Sequence, residues 1–224
     1  VSSKSDFSIY NLPFGIFSTN KKNKRIGVAI GDHVIDLDAC NSLDLFKDLN
    51  IESHVFKNSF LNNFIELGKE ITSKVREILQ SELTNDNSLI KHNSNCIIPI
   101  DSVEMHLPVK IGDYTDFYSS IEHASNIGSM FRDPSNPLLP NWKHIPVGYH
   151  GRASSIIVSG KNIHRPKGQI MPLDSETPIF SSSNRVDFEL EMGYIIGMNS
   201  SLGSSISTKN FALNPSDSLP PKFS

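Results

Sequence analysis

The chain has only two cysteines, Cys40 and Cys96, in 224 residues. Two cysteines make no disulfide framework and leave no Cys/His spacing for structural zinc, and a reducing compartment suits them. Basic residues are not in excess either. The 21 Lys plus Arg face 24 Asp plus Glu, a formal net charge of −3 with His neutral. Nucleic acid, whose phosphates call for clustered cations, is therefore a poor partner. No apolar run approaches the ~18 residues of a membrane-spanning helix, so no membrane partner is expected. The opening residues lack the charged, apolar, small-residue order of a secretory signal. Val1 rather than Met stands first, the start expected of a fragment. A phosphate-cradling glycine loop and a Gly-x-Ser-x-Gly elbow are also missing. With 38% hydrophobic and 20% charged residues, the chain can build a packed core in one large domain or two small ones.

Residues 9–17 read as a strand or turn-strand interrupted at Pro13. Residues 25–30 and 33–37 flank Gly31-Asp32, a favoured two-residue turn, and predict a β-hairpin. Ile71, Val75, Ile78 and Leu79 fall at i, i+4, i+7 and i+8, which predicts a helix over 69–83. The polar, Asn-rich stretch 84–95 reads as a loop. A new apolar run begins at Cys96, and a domain boundary is expected at 102–107. Beyond it the pattern predicts a short helix within 113–128, a loop over 134–140, a strand over 154–160 ending in a turn, and the strongest strand over 187–197. Residues 200–224 are rich in Ser, Asn and Pro and show little periodicity. There is no internal repeat.

Two segments carry candidate chemistry. Val186 to Met192 alternates acid and apolar, so Asp187, Glu189 and Glu191 share one strand face about 6–7 Å apart. Carboxylates this close repel unless solvated, protonated or bridged by a cation. Oxygen-only donors favour Ca2+ or Mg2+ over zinc. The plainer reading of the same pattern is an antiparallel strand with one wet face. The other segment, 111–123, crowds acids, hydroxyls, aromatics and one histidine together. Asp116 and His123 are seven apart and would share a helix face, and a histidine moves protons near neutral pH. Taken singly, Asp116 reads as a helix cap, with Asp113-x-x-Asp116 resembling a capping box, and His123 as a structurally bonded or surface histidine. Arg132 offers a fork suited to a carboxylate, or to a surface salt bridge. Gly148 and Gly151 bracket Tyr149 and His150, and glycine lets backbone approach a ligand closely. His144, His164 and Lys161 have no informative partner. The outline is that of a metal-assisted hydrolase.

Seven stretches carry a resemblance. They are Asn11-Leu-Pro-Phe-Gly-Ile-Phe-Ser18, Arg25-Ile-Gly-Val-Ala-Ile-Gly-Asp32, Met105-His-Leu-Pro108, Ile111-Gly-Asp-Tyr-Thr-Asp-Phe-Tyr-Ser-Ser120, Met130-Phe-Arg-Asp133, Pro146-Val-Gly-Tyr-His-Gly-Arg-Ala-Ser-Ser155 and Phe188-Glu-Leu-Glu-Met192. In this order they closely resemble the fumarylacetoacetase family over about residues 6–207. The resemblance implies a mainly β (α+β) chain. A small SH3-like β-barrel with a helical insertion spans 6–107, the first part of a catalytic β-roll domain spans 108–207, and 208–224 form a divergent, disordered tail. It implies a cytoplasmic homodimer that hydrolyses a carbon–carbon bond of 4-fumarylacetoacetate, a dicarboxylate diketone, to fumarate and acetoacetate, the last step of tyrosine and phenylalanine breakdown. Asp116, Glu189 and Glu191 resemble the family's ligands for Ca2+ or Mg2+, and His123 its water-activating base. Tyr118, Arg132 and Tyr149 resemble substrate contacts, and Asp187 falls outside the ligand pattern. The family continues past the part matching Ser207 with an Asn-Asp-Trp-Ser-Ala-Arg-Asp motif, a fourth carboxylate ligand and a glutamate that orients the histidine. None of these is in the sequence, so about half of the site is expected here. The other expectation is a truncated, non-catalytic fragment that folds partly or pairs with a full-length subunit.

Overall fold

The main sheet is built from strands within residues 14–106. The computed structural model describes residues 5–145 and 147–205. The expected tail, 208–224, lies outside them. The described residues fall into two compact units, one within 5–108 and 158–205 and the other within 109–157.

In the first unit, β1 (Phe14–Thr19), β2 (Lys22–Ile30), β3 (His33–Asp36), β4 (Ile97–Pro99) and β5 (Glu104–His106) form one antiparallel sheet in the order β4-β3-β2-β1-β5. The predicted hairpin is β2–β3, with Ile30 opposite His33 and Gly31 at φ 60° in the turn. A side chain on Gly27 would collide with the Phe17 ring and Val34, so only glycine lets the three strands close over it. β4 and β5 occupy opposite edges, yet only residues 100–103 separate them. A flat five-stranded sheet is about 19 Å wide at ~4.8 Å per strand step. The connection cannot reach that far, because Ile100–Ser102 form a 3₁₀ turn that rises only ~2 Å per residue. The sheet therefore curls until its edges approach.

Between β3 and β4 run α1 (Leu37–Asn41), α2 (Asn62–Glu66) and α3 (Gly68–Thr84). The last realises the predicted 69–83 helix and buries Val75 and Leu79. Asp36 begins α1 by accepting from the Ala39 amide at 3.2 Å. The same carboxylate takes a 2.8 Å ion pair from Arg25, both side chains being buried. The Arg25 guanidinium also lies 4.2 Å over the Phe17 ring. Phe14, Phe64, Phe56 and Phe46 form a chain of ring contacts at 5.0–6.1 Å beside the sheet. Arg76 of α3 donates to the carbonyls of Asn11 and Leu12 at 2.6 and 2.7 Å. This grip holds Leu12 in the left-handed region, φ 37°, which disfavours a branched side chain. The same unit carries a separate hairpin, β8 (Lys167–Ile170) with β9 (Ile179–Ser182).

The second unit holds β6 (Thr115–Phe117), α4 (Ile121–Phe131) and β7 (Gly148–His150), with β6 and β7 paired antiparallel. Among the described residues the fold is thus mixed α/β with three antiparallel sheets, none closed into a barrel. Three local expectations are corrected. The strand over 154–160 does not form: Ala153–Ser155 make a 3₁₀ turn, and Gly160 at φ 84° holds the turn after it. The strand over 187–197 does not form either. Alternation fixes which side chains would share a face, but a strand also needs a neighbour for its backbone, and no described segment pairs with it. The helix within 113–128 begins only at Ile121. Ser120, extended at φ −104°, caps it by accepting from the His123 amide at 3.2 Å, and Asp113-x-x-Asp116 is not the cap.

Candidate active site

β6 and β7 build one corner of the candidate site. Their register sets Asp116 opposite Tyr149, and the Tyr149 hydroxyl donates to Asp116 Oδ2 at 2.6 Å. The Thr115 hydroxyl ties the same strands by donating to the Tyr149 carbonyl at 3.1 Å. The glycines bracketing Tyr149 and His150 do permit a close approach. At Gly151, however, the group that comes near is the Tyr114 ring, which a side chain there would strike. Tyr114 was not legible as part of this corner, because nothing in its local pattern marks a partner 37 positions away.

Asp116 and His123 do not share a helix face. Asp116 lies on β6 and His123 in the first turn of α4. Thr115 and Phe117 favour extended backbone, and Ser120 starts the helix after the acid has passed. Tyr118 and His123 still meet, ring centroids 4.5 Å apart and edge to face. Glu122, in the same helical turn, is held below the usual carboxylate range by its own backbone amide and by the Ser120 hydroxyl. An anion at a helix N-terminus also suits the helix dipole.

Arg132 stands at the C-terminal end of α4 and donates to the Pro137 carbonyl at 3.0 Å. The 133–140 loop folds back so closely that a side chain on Gly128 would overlap the Pro137 carbonyl. The guanidinium is therefore fixed by its own loop, with the rest of its fork exposed.

Glu189 and Glu191 lie in the other unit, on an exposed segment outside any strand. Apolar neighbours are exposed with them, Phe188 at 93% and Leu190 at 99%. Among the described residues, no group of three or more His, Cys, Asp or Glu is gathered closely enough to hold a metal ion.

Two family models match the chain: fumarylacetoacetase N-terminal over residues 10–108, and fumarylacetoacetate (FAA) hydrolase C-terminal over 112–210. The chain belongs to the fumarylacetoacetase family. It is 46% identical over 211 residues to fumarylacetoacetase of Rattus norvegicus, covering 92% of this chain and 50% of the rat protein. It is 47% identical over 204 residues to fumarylacetoacetase of Caenorhabditis elegans, covering 88% and 48%. With that of Dictyostelium discoideum it shares 48% over 217 residues, covering 94% and 51%. The chain thus spans about half the length of the relatives it matches. Among the described residues, no helix is long and apolar enough to cross a membrane.

Proposed function

We propose that this chain belongs to an enzyme that hydrolyses the carbon–carbon bond of 4-fumarylacetoacetate, giving fumarate and acetoacetate at the end of tyrosine and phenylalanine breakdown. The observation that carries this reading is the corner built by β6, β7 and the first turn of α4. There Tyr149 bonds Asp116 and Tyr118 contacts His123, in a chain 46% identical to a fumarylacetoacetase. His123 takes a proton from water, and the oxygen attacks one carbonyl of the diketone. Tyr118 holds the imidazole ring edge-on. Arg132 and the phenols of Tyr118 and Tyr149 suit the substrate's carboxylates.

Asp116, Glu189 and Glu191 supply only oxygen donors, which fit a hard dication, Ca2+ or Mg2+, better than a soft one. Glu189 and Glu191, two apart on an exposed segment, are the residues that would join Asp116 around it. Such an ion supplies polarisation of the carbonyl and stabilisation of the enolate that leaves. The division into an N-terminal SH3-like barrel over 6–107 and a catalytic β-roll from 108 to 207 belongs to the same proposal. The curled sheet whose edges approach supports the barrel. A homodimer in the cytoplasm completes it.

The test is metal-dependent turnover of 4-fumarylacetoacetate by the full-length protein. Asp116→Ala, Glu189→Ala and Glu191→Ala are each expected to abolish it. A variant that keeps a near-normal rate without added metal removes that residue from the ligand set. His123→Ala is expected to lose catalysis while calorimetric Ca2+ or Mg2+ binding persists. Lost metal affinity would make His123 a ligand instead of a base. The exposed Phe188 and Leu190 favour a second reading, in which these 224 residues alone turn over little substrate and pair with a full-length subunit. Turnover by the purified chain at the rate of a full-length relative would overturn that reading.

A further inference from the structure

The hydrolase reading uses neither cysteine, yet the fold brings the two together. Ile97 pairs with Ile35, and the register continues one step further, where the Asp36 amide donates to the Cys96 carbonyl at 2.9 Å. Asp36 is the N-cap of α1, whose buried residues are Leu37 and Cys40. Cys96 thus enters the sheet beside the helix that carries Cys40. Both side chains are fully buried and both sulfurs are free thiols, in hydrogen-bonding reach of each other.

We propose that Cys40 and Cys96 form a reversible disulfide that fastens the helical segment between them to the main sheet. Hydrogen peroxide, close to water in size, is the oxidant. The Cys40 thiol is pushed well above its ordinary range, first by its hydrogen bond with Cys96 and then by burial. The same hydrogen bond draws Cys96 down, and in the proposed step Cys96 is the sulfur that meets the peroxide. Its thiolate takes one peroxide oxygen to become a sulfenic acid, and the O–O bond breaks to release hydroxide, which becomes water on protonation. The Cys40 sulfur then attacks the sulfenic sulfur, forming the S–S bond and expelling the second water. Two thiols and one peroxide give one disulfide and two waters. The closed loop starts within α1 and holds α2 and α3, and a cross-link of that length restricts the unfolded chain strongly.

The experiment treats the reduced 224-residue chain with hydrogen peroxide, blocks remaining thiols in denaturant and maps peptides without reductant. The expected result is a Cys40–Cys96 linked peptide lighter by two hydrogens. It disappears on adding dithiothreitol and is accompanied by a rise in Tm of several degrees that Cys40→Ser and Cys96→Ser both lack. Two thiols still open to alkylation, an unlinked Cys96 sulfinic acid, or linkage only between chains would overturn the proposal. A linked peptide with an unchanged Tm would overturn the fastening. Mapping the unaltered chain decides the linkage even if a serine variant fails to fold.

Discussion

Asp36 shows how much one residue can carry. It caps α1, takes the buried ion pair from Arg25 and has Lys22 at 3.7 Å on the same oxygen. Asp36→Ala removes the cap and leaves a buried guanidinium without its counter-charge. The expected cost is about 3–5 kcal/mol, read from the urea midpoint of the variant against the unaltered chain. His106 gives a pH dependence. Its Nε2 lies 2.8 Å from the Ser18 hydroxyl. Burial, with help from Lys24 and Lys161 and against Glu104, holds it below the ordinary 6.5. The unfolded chain therefore takes up a proton before the folded one does. The stability this group contributes is present above about pH 6.5 and falls as pH drops toward the folded value. Urea midpoints between pH 5 and 8 should show this fall, and His106→Gln should flatten it. Neither role was legible in the sequence, because Arg25 and Ser18 stand 11 and 88 positions from their partners. The candidate site was legible in its residue types and motifs. Its pairings, such as Tyr149 on Asp116, come from strand register.

Among the elements, α3 was legible because its apolar positions, Ile71 to Leu79, repeat at helical spacing over more than two turns. Leu79→Ala should cost about 2–5 kcal/mol, since the residue is fully buried and truncation leaves a cavity. The start of α4 was misplaced because two acids suggested a cap, whereas the cap is a serine two residues past the β6–Tyr118 stretch. Gly128 in the same helix gives a prediction of inverted sign. In an open helix, Gly→Ala stabilises by about 1 kcal/mol. Here the Pro137 carbonyl occupies the space a methyl would need, so Gly128→Ala is expected to destabilise by about 1–3 kcal/mol. Denaturant titration gives the sign directly. The segment 187–197 marks the limit of pattern reading. Its period-two signal says only which side chains would share a face if a strand formed, and pairing depends on a second segment that a local pattern cannot reveal.

At the scale of the whole molecule, the hairpin and the long helix were readable, while the strand order was not. Nothing local announces that β1 takes both β2 and a strand near residue 105 as neighbours. The segment 5–108 contains every strand of that sheet and most of the buried apolar side chains. Expressed alone, it is expected to fold, and a random-coil circular dichroism spectrum would refute that. The sheet order also has a consequence for synthesis. A ribosome makes the chain from its N-terminus, so β1, β2 and β3 exist while β4 and β5 are not yet translated. The outer edge of β1 waits for a partner 88 positions downstream of Ser18, about 4–18 s at ~5–20 residues per second. During that interval the growing chain offers an open row of amides and carbonyls to any extended peptide within reach. A nascent chain stalled before residue 104 should therefore cross-link to neighbouring strands through β1, and one released from a later stall should not.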